Sequence, residues 1–420
     1  MSHIRFVHAA DLHLDAPFAG FGASAPAHVA ATLRDATFDV YDAIIELCLN
    51  EHVDALLVAG DIYDASDKSL RAQLHFLRGL ERLSAAGIRS FVCHGNHDPL
   101  DGWEAGFPVP ATCHRFTGEI EAVPLDPADP GRAMVYGYSY PRQRVHENIA
   151  RRFKRNDDAA FAIGLLHCNV GSNPNHDPYA PCTVEDLAAT RIDYWALGHV
   201  HTRQELRAAG PAIVYPGNPQ GRHPVETGPR GVYLVDVAPG GRPSLTFHAL
   251  DRVRWTVIPI DIAPFEHAPA LRNAIERAVG GALDQADGRP IVYRIELAGR
   301  GALHADICRD SYLDDLRDEV NREWAGQQQF AWCDRIENHT RPVFDREQAR
   351  AGGDFLAELL TVFDDSSHEA SLLTPLGDLF NHHAAGEYLR DVMPAVSGLP
   401  SLLAAAESLC VDELLQESTS

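Results

Sequence analysis

Five short apolar runs in the first 200 residues constrain the fold of this chain more than any other feature. Each run is short enough to be a buried strand, and segments with helical spacing of apolar residues separate the first three. The runs cover residues 4–10, 55–60, 90–95, 162–167 and 194–199, and the helical segments cover residues 28–50 and 69–86. Strands that alternate with helices predict a layered α/β domain.

The pattern changes twice after residue 200. Strand-like runs dominate as far as residue 255, two helix–strand pairs follow between residues 256 and 343, and the remainder has a helical pattern. A chain of 420 residues is long enough for about three domains of ~150 residues each. We therefore predict an α/β domain over 1–255, a small α/β domain over 256–343 and a helical segment over 344–420.

Charge is distributed unevenly along the chain. There are 59 acidic and 36 basic residues, which gives a net charge of −23, and residues 351–420 hold twelve acids against one base, Arg390. Because non-specific nucleic-acid binding depends on neutralising phosphates, this composition excludes a general nucleic-acid coat protein. Any contact with nucleic acid is expected to be local or to depend on a partner.

Three sequence features favour a cytoplasmic protein. No apolar run approaches the ~18 residues that a membrane span requires. The first residues lack the basic start and apolar stretch of a secretory signal. The eight cysteines include no Cys-x-x-Cys pair, so we expect reduced, scattered thiols and no membrane contact.

Each of the five apolar runs is followed by residues that can bind a metal ion. The set comprises Asp11, His13, Asp61, Asn96, His167, His199 and His201. Carboxylate, amide and imidazole groups suit a mixed oxygen and nitrogen site. The set is too large for one ion, whereas two ions that share a carboxylate fit it and are typical of phosphoryl chemistry. Gly60, Gly95 and Gly198 precede these residues, as tight turns at strand ends require.

Each piece of this set has an ordinary alternative explanation. Asp11 and His13 taken alone fit a helix cap or a surface position, and His167 taken alone fits a buried core histidine. The ordered appearance of all the residues at strand ends favours a ligand site, since the carboxyl edge of such sheets is where ligands bind.

This ordered set resembles the calcineurin-like metallophosphoesterases. Longer strings, including HAADLHLDAPF, GLLHCNVGS, YWALGHVH and YPGNPQGRHPVETGP, resemble the SbcD/YhaO branch of bacterial double-strand-break repair nuclease subunits. The resemblance covers about residues 4–237. It implies two packed mixed sheets flanked by helices, followed by a small α/β cap domain and a helical C-terminal segment.

The resemblance also implies a ligand set for two divalent ions, most often Mn²⁺ in this family. The first ion would be held by Asp11, His13, Asp61 and His201. The second would be held by Asp61, Asn96, His167 and His199. Asp61 would therefore bridge the two ions.

The mechanism expected from the resemblance is hydrolysis of a phosphodiester. A water shared by the two ions would attack phosphorus, and His97 would assist the leaving oxygen, because imidazole titrates near neutrality. We expect Asp64 to orient His97, by analogy with the Asp–His pair of related phosphatases.

Two further segments have two interpretations each. Asn218, Arg222 and His223 could contact phosphate or sugar, or could belong to a structured turn rich in proline and glycine. The basic run over residues 142–155 could be a track for the DNA backbone, or the solvated face of a helix.

The C-terminal segment has two apolar stripes with helical spacing. They comprise Phe355, Leu356, Leu359, Leu360 and Phe363, then Leu402, Leu403, Ala406, Leu409, Cys410 and Leu414. Such stripes usually pack on their own domain, but they can also dock a partner helix. The resemblance favours docking on an SbcC-like coiled-coil ATPase, with a homodimer formed through helices of the first domain.

The function predicted from the whole sequence is a manganese-dependent DNA exonuclease or phosphodiesterase acting in DNA repair on single strands or duplex ends. One alternative is a phosphatase or cyclic-nucleotide phosphodiesterase with small substrates. The other is a subunit that mainly holds DNA ends for an ATPase.

Overall fold

The computed structural model describes residues 3–18, 25–155, 158–171, 179–208, 210–366 and 399–417. The chain divides into two compact units that interleave along the sequence. The first comprises residues 1–258, 276–295 and 317–335, and the second comprises residues 259–275, 296–316 and 336–420. The domain boundaries expected at residues 255 and 343 remain predictions.

A first six-stranded sheet lies in the first unit. Its strands, in chain order, are β1 (Ile4–Ala9), β2 (Ala55–Ala59), β3 (Arg89–Cys93), β4 (Cys113–Arg115), β11 (Gly231–Val237) and β12 (Pro243–Ala249). The spatial order is β12-β11-β1-β2-β3-β4. Strands β1 to β4 pair in parallel, whereas β11 is antiparallel to both of its neighbours.

A second six-stranded sheet lies in the same unit. Its strands are β5 (Glu121–Pro124), β6 (Ala133–Tyr138), β7 (Phe161–His167), β8 (Tyr194–Gly198), β9 (Gln204–Arg207) and β10 (Ala212–Tyr215). The spatial order is β5-β6-β7-β8-β10-β9, with parallel pairing from β6 through β10 and an antiparallel strand at each edge. Both sheets are mixed, as the resemblance implied.

Apolar residues from the facing sides of the two sheets form the central core. Phe6, Leu57, Phe91, Ile163 and Val214 are all fully buried in this cluster. Parallel strands covered on both faces read as continuous apolar runs, which is why the five runs were visible in the sequence.

Helices cover the outer face of the first sheet. They are α1 (Ala27–Asn50) and α2 (Leu70–Ala85). Helix α2 begins where the side chain of Ser69 accepts a hydrogen bond from the amide of Ala72 at 3.0 Å, which satisfies one of the free amides of the first turn. Both helices were predicted to within one residue at each end. A short helix, α3 (Val184–Ala188), precedes β8.

A three-stranded sheet follows in sequence. Its strands are β13 (Arg254–Asp261), β14 (Ile291–Arg300) and β15 (Ala331–Arg341), in that spatial order. The intervening helices are α4 (Ala268–Asp284), α5 (His304–Ile307) and α6 (Tyr312–Trp324). This agrees with the two helix–strand pairs predicted for the region.

The described residues of the C-terminal segment form three helices: α7 (Arg346–Ala351), α8 (Phe355–Ser366) and α9 (Leu399–Glu417). Ion pairs join them to their own unit, because Arg346 contacts both Asp364 and Glu407 at 2.7 Å, and Arg341 contacts Asp412 at 2.8 Å. Residues 367–398 lie outside the described part of the chain.

The two predicted stripes of this segment are only partly buried. Leu360 is fully buried, yet Phe355 is 66% exposed, and Leu402 and Leu409 are 40% and 63% exposed. The segment therefore packs on its own unit through some apolar residues and presents others to solvent.

The basic run does not form the helix face that one interpretation required. Its described residues are extended or bent, apart from a single 3₁₀ turn at Ile149–Arg152. Separately, within the part of the chain that the structure describes, we find no helix long and apolar enough to cross a membrane.

Candidate metal centre

The carboxyl ends of strands from both sheets meet at one site. The amide of Asp11 donates to the carbonyl of Gly60 at 3.0 Å, which joins the loops after β1 and β2. The amide of His199 donates to the Asp11 carboxylate at 2.9 Å, and His167 Nδ1 lies 2.9 Å from the carbonyl of Ala59. These bonds tie the second sheet to the first at the predicted edge.

The loops carry strained backbone at four of the predicted ligands. Asp11, His13, Asp61 and His199 have φ angles of 52°, 42°, 51° and 98°, in the left-handed region that favours glycine. Residues other than glycine persist there only where the surroundings impose the conformation, and such residues cluster at functional sites.

The glycines before the ligands serve two purposes. One allows a tight turn, and the others allow neighbouring atoms to approach where a Cβ would collide. Gly60 has a φ of 86°, as a tight turn requires. A Cβ added at Gly95 would lie 2.3 Å from Asp61 Oδ1, and one at Gly198 would lie 1.8 Å from the carbonyl of Ala59. Neither Gly95 nor Gly198 has positive φ, so the reason given from the sequence is wrong for these two.

The predicted ligands fall into two adjacent groups. Ligand atoms of Asp11, His13 and His201 lie within 4.8 Å of one another, and so do those of Asp11, Asp61 and His167. Asp11 belongs to both groups, although the resemblance assigned it to one ion. Side chains that converge in this way are suited to hold two closely spaced cations.

Asp61 lies between the two groups of imidazoles. Its Oδ2 is 3.3 Å from His167 Nε2 and 3.9 Å from His13 Nε2. Its Oδ1 accepts the backbone amide of His97 at 2.9 Å, which fixes the orientation of the carboxylate. This is the position that a bridging carboxylate requires.

Three imidazoles are held by an acceptor on the nitrogen that faces away from the centre. His167 Nδ1 faces the Ala59 carbonyl at 2.9 Å, His201 Nδ1 faces Glu226 at 2.6 Å, and His13 Nδ1 faces Asp64 at 3.1 Å. An acceptor at Nδ1 favours a proton on that nitrogen, which directs Nε2 toward the centre as the nitrogen that would bind a cation. The Nε2 atoms of His13 and His201 lie 3.3 Å apart.

The two remaining predicted ligands lie beside His167. Asn96 Oδ1 is 3.0 Å from His167 Nε2, and the His199 ring packs edge-on against the His167 ring with 5.2 Å between centroids. All seven predicted ligands are therefore brought to one edge of the sheets.

The donor set fits divalent cations. Asp11 is 1% exposed, and burial raises its pKa to about 6. A carboxylate buried in this way requires a positive partner to stay ionised, and bound cations supply that charge. Burial and the charge of Arg222 lower the pKa of His13 to about 4, so this imidazole is neutral and able to bind a metal.

His97 and Asp64 form a pair at the rim of the centre. His97 Nδ1 lies 2.8 Å from Asp64 Oδ1, and the His97 side chain is 47% exposed. The hydrogen bond to Asp64 raises the pKa of His97 to about 9. Asp64 Oδ1 also faces His13 Nδ1, so one carboxylate orients both the exposed histidine and a predicted ligand. The second contact was not predicted.

The phosphate-contact residues predicted from the sequence have different environments. Asn218 is 1% exposed, with its amide donating to Gln220 and its oxygen accepting from Arg230 at 2.6 Å. His223 is exposed, and its Nδ1 accepts the amide of Val225 at 3.3 Å. Arg222 Nε is buried and has no hydrogen-bond partner among the described residues.

Sequence reasoning missed the roles of Asp98 and Glu226. Asp98 accepts the amides of Asp61, Ile62 and Gly95 at 2.7–3.2 Å and is 2% exposed. It therefore joins the second and third ligand loops. Its position directly after Asn96-His97 was the available signal, whereas nothing near Glu226 indicated that it would hold His201.

Two mixed sheets that place carboxylates and imidazoles at one edge define a metal-dependent phosphoesterase. The family model described as calcineurin-like phosphoesterase matches residues 4–203, and the model described as metallophosphoesterase YhaO, middle domain, matches residues 255–341. The chain belongs to the calcineurin-like metallophosphoesterase family. It is accordingly a hydrolase of phosphoesters, of a family that uses divalent metals.

Named relatives extend this comparison. The uncharacterized metallophosphoesterase YhaO of Bacillus subtilis is 37% identical over 344 residues, which are 81% of this chain and 83% of that protein. The SbcD component of the nuclease SbcCD from the same organism is 26% identical over 56% of this chain and 67% of its own length. The DNA double-strand break repair protein Mre11 of Sulfurisphaera tokodaii is 28% identical over 42% of this chain and 46% of its own length.

Proposed function

We propose that this chain is a dinuclear-metal-dependent DNA exonuclease or phosphodiesterase that acts in DNA repair. The observation that carries the proposal is the His97–Asp64 pair, 2.8 Å apart, with an exposed imidazole beside two groups of metal-binding side chains. The choice of DNA as substrate is supported by the similarity to proteins named for nuclease activity and double-strand break repair.

We assign Asp11, His13, Asp61 and His201 to one ion, and Asp61, Asn96, His167 and His199 to the other. Mn²⁺ is our choice of ion, because carboxylate, amide and imidazole donors suit it. When bound, the ions supply Lewis-acid chemistry, since they offset phosphate charge and lower the pKa of water. The left-handed loops hold the ligand atoms in position before any ion arrives.

His97 is the proposed proton donor for the leaving oxygen. Its Nδ1 is engaged by Asp64, so Nε2 is the nitrogen available to the substrate. Asp64 keeps the imidazolium in one orientation and stabilises its positive charge, which favours a protonated ring at neutral pH. Arg222, with an unpaired buried Nε beside His13, is our candidate for binding a phosphate oxygen.

The test is a nuclease assay of the full chain on end-labelled DNA, with Mn²⁺, Mg²⁺ or Zn²⁺ added separately. We expect nucleotide release with Mn²⁺, and we expect loss of that release in His97→Ala but not in the matched control His114→Ala. Hydrolysis of a small chromogenic phosphodiester without DNA cleavage would favour a phosphatase or cyclic-nucleotide phosphodiesterase. DNA-end binding without any hydrolysis would favour an end-holding subunit.

We also propose that α9 docks an SbcC-like coiled-coil ATPase. Leu402 and Leu409 are exposed on this helix, and exposed apolar residues on one helix fit a partner helix. Leu402→Ser/Leu409→Ser should abolish co-purification with the ATPase, whereas Ala404→Ser/Ala405→Ser, at exposed positions of the same helix, should not. Equal retention by both variants would contradict docking.

A homodimer through α1 and α2 remains part of the proposal, to be checked by light scattering.

A further inference from the structure

A solvent-filled groove of about 700 Å³ lies within the first unit, beside the loop that follows the Asn96-His97 turn. We call it the arginine groove, and define it by Asp101, Glu119, Tyr138, Arg142, Arg144 and Arg152, which are among its lining residues. None of these residues belongs to the predicted ligand set.

Tyr140 lies between the groove residues Tyr138 and Arg142 in the sequence, and it contacts residues of the ligand loops. The amide of Leu100 donates to the carbonyl of Tyr140 at 2.9 Å, and the amide of Tyr140 donates to the carbonyl of His94 at 3.0 Å. The Tyr140 ring meets the His167 ring edge-on, with 5.6 Å between centroids. Arg142 follows two residues later, so the segment that lines the groove also contacts the third and fourth ligand loops.

The arginines of the groove differ in whether they form ion pairs with carboxylates. Arg152 contacts Glu119 at 2.8 Å and Glu147 at 3.7 Å, and it lies over the Tyr138 ring. Its charge is therefore balanced within the protein by those two acids. Arg142 and Arg144 are exposed, and neither has a carboxylate within 4.0 Å among the described residues.

Two unpaired arginines are unexpected in a chain with a net charge of −23. Each guanidinium presents a planar fork of donors that matches phosphate oxygens. Because the rest of the acidic surface repels nucleic acid, unpaired cations beside the centre determine where a strand can lie.

We infer that the arginine groove binds the sugar-phosphate backbone of the DNA strand next to the scissile bond. The inference rests on the proposed function and narrows its substrate to a polynucleotide that extends several nucleotides beyond the cleaved phosphate. A small phosphodiester has no second phosphate for Arg142 and Arg144 to contact.

The experiment compares two double variants of the full chain that each remove two positive charges from the same basic run. Arg142→Ala/Arg144→Ala alters the groove. Arg151→Ala/Lys154→Ala is the matched control, because both residues are exposed and lie outside the groove lining. Cleavage of a 20-nucleotide single-stranded DNA and of bis-p-nitrophenyl phosphate is measured with Mn²⁺ from 50 to 300 mM salt.

We expect the groove variant to lose about 10-fold or more in kcat/KM on the oligonucleotide, equivalent to about 0.7 kcal/mol or more per lost phosphate contact. Its salt dependence should also weaken by about 1.4 in log–log slope, at about 0.7 per phosphate contact. Turnover of the small diester should be unchanged, and the control should lose less than two-fold on either substrate.

Three results would overturn the inference. The first is an equal loss in both double variants, which would show that net charge alone matters. The second is no loss in the groove variant. The third is an equal loss by the groove variant on both substrates. If the parent hydrolyses only the small diester, the proposed function fails, and binding of a fluorescent oligonucleotide then tests the groove separately. Binding lost only in the groove variant would support the groove; no binding by the parent would remove it as well.

Discussion

The metal centre buries polar side chains, whereas the C-terminal helices expose apolar ones. At the centre, polar side chains are buried: Asp11, Asp61 and His167 are each 1% exposed or less. In the C-terminal helices, apolar side chains such as Phe355 and Leu409 are left in solvent. Burying a charged group is costly unless it is paired, so the first arrangement requires a cation. The second leaves apolar surface that a partner can cover.

The largest effect is expected from neutralising Asp61, the proposed bridging carboxylate. Asp61→Asn removes a charge that lies between both imidazole groups, so both ions should bind more weakly and activity should fall about 10⁴-fold or more, since the ions supply several kcal/mol. Isothermal titration with Mn²⁺ measures the affinity, and Asp67→Asn, at an exposed acid nearby, is the control. Two equivalents bound as tightly as by the parent would contradict a bridging Asp61.

Removing the proposed acid should separate chemistry from metal binding. His97→Ala should lower kcat about 10²–10⁴-fold, the range of a positioned acid–base group, and leave the affinity for both ions unchanged. Steady-state kinetics and metal titration on the same sample check both halves. A variant that loses metal as well would place His97 among the ligands.

The C-terminal helices offer a matched pair of leucines. Leu360→Ala should lower the free energy of unfolding by about 2–5 kcal/mol, because the side chain is fully buried. Leu409→Ala, at a 63% exposed position, should change it by no more than about 0.5 kcal/mol. Urea unfolding of the full chain compares them. Equal effects would show that the exposed leucine is packed in solution.

A smaller effect is expected from the carboxylates that orient histidines. Asp64→Asn and Glu226→Gln should each weaken binding of the ion at His13 and His201 by about 10–100-fold, the usual effect of altering such a partner. Asp64→Asn should in addition lower kcat at saturating metal, because Asp64 also holds His97. If Glu226→Gln reduced kcat at saturating metal as strongly, Glu226 would have a second role that the contacts do not indicate.

The fold could be predicted from the sequence where a single physical requirement determines the local pattern of residues. Buried parallel strands require continuous apolar runs, so the starts and ends of β1, β2 and β7 were predicted to within one residue. Within each sheet, the gathering of the ligand candidates followed from strand direction, since parallel strands end at a common edge. That the two sheets share one site did not follow from it.

The contacts that were not predicted join loops that lie far apart in the sequence. Asp98 accepts amides from residues 36 and 37 positions earlier in the chain, and Glu226 lies 25 positions from His201. No local pattern encodes such pairings. The helix considered for the basic run is wrong: residues 141–148 are bent or irregular, and Asn148 caps only a single turn.

The four residues of the metal centre with left-handed backbone affect which substitutions would stabilise the protein. Each costs about 1–3 kcal/mol of conformational energy, and the short polar side chain of asparagine suits this backbone. Replacing His13 by Asn should therefore relieve strain while removing an imidazole. A screen that rewards heat resistance alone would enrich such inactive variants. At the proposed metal centre, stability and activity would thus be selected in opposite directions.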